Sequence, residues 1–275
     1  MTIAEIHGKL SPDRPYGCHE RMEDLLTSDV FGTMRYLGGS DGFFDWLRTA
    51  EAPSVPQVRT VPPEVIPQSG VRAVHFVFWP TLPNGREPDV ALLLELEDAI
   101  TFLVLVEAKY LAGTSDYEAA AASDDALTGN QIADQVRALS KLSPDDIGRL
   151  FGIDDPSPLR YRLHLFVTTD QYLPLPVYRE SQKHLAAPWP VSAYWLSWTS
   201  LAHHLESHRH QPDPGRAAMI EDVLALLRRK GLVPFSGFRH SAWRRAGVIP
   251  AFWEDMWWSL QALGVRADAR FWTGG

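Results

Sequence analysis

The sequence predicts an α/β protein: a mixed β-sheet flanked by helices, with a helical C-terminal extension. Three observations predict it. Apolar residues recur at helical spacing near the start of the chain. Two long apolar runs then follow each other across a short connection, as in an antiparallel hairpin. Beyond them, segments of helical and strand character alternate.

The elements follow in order. Met22, Leu25, Leu26, Val30, Met34 and Leu37 place a helix over 19–37, and Gly38-Gly39 stops it. Five prolines between positions 52 and 69 predict a loop or irregular edge there. Residues 71–79 are rich in Val, Phe and Trp and read as a strand; 80–88 holds Pro, Asn and Gly and reads as a turn. Runs 89–96 and 101–109 read as central strands buried on both faces. A polar loop is expected over 112–125 and a helix over 129–142, with Ile132, Val136 and Leu139 on one face. Strands are expected at 161–168 and 191–196, and helices at 199–208 and 217–230, the last ended by Gly231 and Pro234. The main domain is expected to span 1–212 and the basic, aromatic extension 213–275.

Composition narrows the class. The chain has 275 residues, 45% of them hydrophobic, enough to bury a core without metal or disulfide staples. Its single cysteine, Cys18, excludes an internal disulfide. No signal peptide is visible, and acidic residues break the most apolar stretch, 90–106, so no membrane span is expected. The expectation is a soluble, cytoplasmic protein. The formal charge of −8 does not draw a polyanion to the protein as a whole. It is unevenly spread: residues 84–135 carry two basic and eleven acidic groups, residues 206–245 eight basic and four acidic. The plainer reading of such runs is a solvated face.

The chemistry concentrates at Pro88-Asp89 and Glu107-Ala108-Lys109. Strand alternation sends Glu107 and Lys109 to one face and Ala108 to the other, and the hairpin returns Asp89 beside Glu107. Two carboxylates and an ammonium then meet in apolar surroundings. The carboxylates repel unless one binds a proton or a hard cation joins them. Oxygen donors of this kind suit Mg2+, with Mn2+ as a substitute.

These residues resemble the PD-(D/E)XK nuclease superfamily, the restriction-endonuclease-like fold. Glu23 on the first helix and Gln131 on the helix after the lysine strand, with Gln135 one turn on, extend the resemblance over about 18–205. It implies a Mg2+-dependent nuclease acting on DNA, of the prokaryotic defence or restriction type. Asp89, Glu107, the Ala108 carbonyl and Glu23 would serve the metal, Lys109 the attacking water, and Gln131 the shape of the site. It also implies 5′-phosphate and 3′-hydroxyl products, and allows a homodimer or a defence-system partner protein. An RNA nuclease on the same site, or a non-catalytic assembly subunit that keeps the fold, are the alternatives.

Other features receive plainer readings. His204 and His208 stand at i, i+4, a possible metal pair, but no third ligand is specified, and a structural or surface role is expected. The C-terminal aromatics read as packing, with Arg239, Arg244 and Arg245 as candidate nucleic-acid contacts. Arg228-Arg229-Lys230 reads as dipole complementation at a helix end or as a phosphate contact. No Gly-rich phosphate loop of the Walker type and no G-x-S-x-G is present.

Overall fold

A computed structural model of the chain describes residues 19–37, 43–53, 59–60, 71–97, 101–110, 127–154, 156, 159–185 and 192–233. The loop expected over 112–125 and the region carrying Arg239, Arg244, Arg245 and the C-terminal aromatics lie outside the described residues.

Helix α1 (His19–Leu37) comes first, followed by the short α2 (Phe44–Arg48). Two two-residue strands, β1 (Glu51–Ala52) and β2 (Arg59–Thr60), fall at the start of and within the segment expected to be a loop or irregular edge. The hairpin series is β3 (Val71–Phe78), β4 (Val90–Leu96) and β5 (Thr101–Ala108). Then come α3 (Gln131–Lys141), α4 (Pro144–Phe151), β6 (Leu159–Thr168) and α5 (Leu175–Gln182). Strand β7 (Ser192–Ser197), α6 (Trp198–Ser207) and α7 (Pro214–Arg229) complete the described chain.

The strands form one seven-stranded sheet in the order β2-β1-β7-β6-β5-β4-β3. Pairs β3–β4 and β4–β5 are antiparallel, whereas β5–β6 and β6–β7 are parallel. The sheet is therefore mixed, because hairpins build one half and helical crossovers the other. All eight residues of β5 are buried, as a central strand covered on both faces requires.

Strand alternation sorts the core into two layers. Val90, Leu92, Leu94, Val104, Val106 and Ala108 pack with α1, α2, α6 and α7. Ala91, Leu93, Leu103 and Leu105 pack with α3, α4 and α5 on the other face. The helices thus flank the sheet on both sides. Helix α7, expected within the extension, instead contributes Ile220, Val223, Leu224 and Leu227 to the first layer. The compact unit accordingly runs to Pro234 rather than ending at residue 212.

The ends of the short helices are chemically specified. Helix α4 opens with a capping box: Ser143 Oγ accepts from the Asp146 N–H, while Asp146 accepts from the Ser143 N–H. It closes on Gly152 in the left-handed conformation, with the Ile153 N–H returning to the Gly148 carbonyl at 2.9 Å. That return leaves no room at Gly148: an added Cβ would lie 2.7 Å from the Ile153 carbonyl oxygen. Gly148→Ala should therefore cost about 1–3 kcal/mol, read as a lower thermal midpoint. An unchanged midpoint would show that the α4 terminus gives way freely.

Candidate active site

The site lies where the C-terminal end of β5 meets the start of β4. Turn 80–88 delivers the chain to Asp89: the Leu82 N–H bonds the Arg86 carbonyl at 2.7 Å, and Gly85 supplies φ +78°. Trp79, just after β3, holds φ +47°, an uncommon backbone for a bulky residue. Its N–H donates to the Asp89 carbonyl at 2.9 Å, which fixes the two chain segments against each other.

Seven of the residues singled out in the sequence converge here. Asp89 Oδ2 accepts from the Ala108 N–H at 2.7 Å. Glu107, 1% exposed, receives the Gln131 Nε2 on Oε1 and the Gln135 Nε2 on Oε2, both at 2.6 Å. Lys109 Nζ stands 2.7 Å from Glu107 Oε1 and 3.1 Å from Glu23 Oε1. The other Glu23 oxygen accepts from the Tyr110 N–H at 3.0 Å. The pleat explains the first step, with Ala108 in the α1 layer and Glu107 facing α3.

The lysine backbone is held on both sides. Its N–H donates to the Val167 carbonyl at 2.7 Å, extending the β5–β6 pairing. Its carbonyl accepts from the indole N–H of the fully buried Trp198, at 3.1 Å.

Several supporting residues were not singled out from sequence. The Asn130 side chain caps α3 by accepting from the Ala133 N–H. Buried Asp134 accepts from the Thr128 N–H and hydroxyl, and pairs with Arg86 at 3.2 Å. These contacts tie the start of α3 to turn 80–88 and so aim Gln131 and Gln135 at Glu107. Behind Gln135, the fully buried His164 Nε2 lies 2.8 Å from Gln135 Oε1. That oxygen can only accept, so the His164 Nε2 carries the proton. Burial lowers the His164 pKa to about 4, leaving it neutral. The α3 cap was the one part of this support with a sequence signal, an Asn directly before a helical pattern.

The electrostatics are those of crowded acids. Burial drives the Asp89 carboxyl well above the ordinary carboxylate range, and the neighbouring Glu107 charge adds to it. Glu107 is also raised by burial, against the pull of Lys109 and Gln135. Burial works against the Lys109 charge, but Glu107, Asp89 and Glu23 outweigh it and raise the ammonium above its usual range. Three carboxylates against one ammonium leave a formal charge of −2 when all are ionised.

That donor set suits a hard divalent cation: carboxylate oxygens at a strand end, carrying a charge deficit that a dication cancels. Asp89 and Glu107 are its buried members. Glu23 is instead engaged by Lys109 and Tyr110. Among the described residues, the trio of potential ligands with donor atoms within 4.8 Å of one another is a different one, Asp45, His204 and His208.

The basic run at the end of α7 is largely committed to protein contacts. Arg228 pairs with Glu206, and Arg209 with Glu221. Lys230 lies over the Tyr110 ring at 5.3 Å, and its carbonyl accepts the Tyr110 hydroxyl. No protein-family model, curated protein or solved structure matches the chain. Among the described residues, no helix is long and apolar enough to cross a membrane.

Proposed function

We propose that the chain is a Mg2+-dependent phosphodiester hydrolase of the PD-(D/E)XK type, with DNA as its substrate. The supporting observation is the meeting of Asp89, Glu107 and Lys109, drawn from two hairpin strands, in a buried setting with an uncompensated negative charge. The likeness to the restriction-endonuclease-like fold rests on these residues, on Glu23 and Gln131, and on a mixed sheet flanked by helices.

Asp89, Glu107 and the Ala108 carbonyl would hold Mg2+, with Mn2+ as a substitute. The metal supplies Lewis-acid activation of the phosphoryl group and of water. The remaining work falls to the chain. Gln131 and Gln135 hold both Glu107 oxygens in place. Asp89 is oriented by the Ala108 N–H. Lys109, with its backbone fixed by Val167 and Trp198, presents a permanent positive charge to orient the attacking water and to meet charge developing on the phosphate. Glu23 positions that ammonium. Arg239, Arg244 and Arg245 remain proposed contacts to the DNA backbone.

A supercoiled plasmid incubated with the full chain tests this. The expected result is nicking that requires Mg2+ or Mn2+, leaves 5′-phosphate ends, and is lost in Asp89→Asn. Cleavage confined to RNA would transfer the reading to an RNA nuclease. No cleavage and no Mg2+ binding would favour a binding or assembly subunit. Protection of cells from phage, lost with Lys109→Ala, tests the defence role, with a homodimer or a defence-system protein as partner.

A further inference from the structure

We propose that Asp45, His204 and His208 form a second metal site, taking Zn2+, that clamps α2 to α6. The sequence offered two histidines one helical turn apart and no third ligand. The fold supplies it from α2, more than 150 residues earlier in the chain. Asp45 Oδ2 lies 3.5 Å from His208 Nε2 and 3.9 Å from His204 Nε2. The two imidazole rings are 4.9 Å apart between centroids. Zinc bonds of about 2.0–2.1 Å in a tetrahedral shell set ligand atoms roughly 3.3 Å apart. The Asp45 Oδ2 distances exceed this by about 0.2 and 0.6 Å, and all three donor atoms lie within 4.8 Å of one another.

The groups around the trio prepare it for a metal. His208 Nδ1 lies 3.0 Å from the His204 carbonyl. A carbonyl only accepts, so Nδ1 carries a proton, and the ring presents its other nitrogen, Nε2, toward Asp45. This second contact is the usual device that sets the tautomer of a ligating histidine. His204 Nε2 is buried and has no hydrogen-bond partner among the described residues. The Arg48 guanidinium engages the other Asp45 oxygen, Oδ1, which orients Oδ2 toward the rings.

Two imidazole nitrogens and one carboxylate oxygen form a borderline donor set suited to Zn2+ rather than Mg2+. The location also favours a cation, because His208 follows the last turn of α6. The two helices are already in contact there: the Trp46 indole N–H donates to Ser200 Oγ at 3.0 Å. A bound zinc adds a second tie, with water completing the shell.

Calorimetric titration of the full chain tests the site. The protein is first stripped with a chelator, then titrated with ZnCl2 in excess Mg2+ in an Asp89→Asn background, which removes competition from the carboxylate site. One zinc per chain is expected, with a zinc-dependent rise in thermal midpoint. His208→Gln and Asp45→Asn should each weaken binding at least tenfold, one decade or more in Kd. Both should also abolish the zinc-dependent rise while leaving the metal-free midpoint near that of the parent. Absence of zinc binding, or binding of undiminished affinity in both variants, overturns the proposal.

Discussion

Asp89→Asn is expected to abolish Mg2+-dependent cleavage and, without metal, to make the protein more stable. The two effects share one cause. Asp89 is buried against Glu107, and its pKa is well above the usual carboxylate value of 3.8. A carboxyl whose folded pKa is raised favours the folded state below the unfolded pKa. That contribution is lost as pH rises through the folded pKa. The metal-free parent should therefore lose stability from about pH 4 upward, and the Asp89→Asn variant should show a flatter slope. Asparagine can still accept from the Ala108 N–H, so the geometry survives. A higher thermal midpoint than that of the metal-free parent is therefore expected at pH 8, with the difference shrinking toward pH 4. Thermal melts across pH, with and without Mg2+, measure it: added Mg2+ should raise the parent midpoint more at pH 8 than at pH 5, and scarcely move the variant. If the metal-free variant melts well below the parent at pH 8, Asp89 is a structural residue.

Lys109→Ala carries the other large effect and separates chemistry from stability. The ammonium sits between Glu107 and Glu23, at 2.7 and 3.1 Å. Removing one partner of a buried pair typically costs about 3–5 kcal/mol. The Lys109 pKa is raised, so the lysine stays charged and its contribution is present across about pH 5–9, and is lost only as pH rises past the unfolded value of 10.5 and through the folded one. The variant should thus be less stable throughout that range. It should also fall more steeply with pH than the parent, because the carboxylates have lost the charge that held their pKa values down. Excess Mg2+ should restore part of the stability without restoring cleavage, which should drop about 10²–10⁴-fold. Cleavage within tenfold of the parent at saturating Mg2+ would remove Lys109 from the chemistry.

The residues that meet at the candidate site were legible because strand geometry is local. Two-residue alternation separates Glu107 from Ala108, and a hairpin connection returns Asp89 to the same place. The α3 glutamines followed from a helical pattern just after that strand. Helices α2 and α5 were not legible, at five and eight residues, the latter containing Pro176. So few turns give no clear period. Helix α4 did carry a signal, Ser143-Pro144-Asp145-Asp146, which is a capping box with proline at the first position. So did α7, where Asp213 caps and Pro214 opens a helix starting three residues before the expected one. The long-range partners had no signal in the chain. Nothing near Lys109 announces Trp198, nothing near Gln135 announces His164, and nothing near His208 announces Asp45. Those pairings arise only when the sheet order is set.

The threading of the chain through this one corner has a bearing on biosynthesis. Glu23 reaches forward 86 residues to Lys109, and Trp198 reaches back 89 to the same lysine. Contacts between such distant positions form late, after the intervening strands have aligned. A nascent polypeptide that has not yet emerged past position 198 lacks the anchor that seats the lysine. The hazardous activity proposed for this fold is thereby withheld from ribosome-bound fragments and truncated products, and it switches on only with the finished architecture.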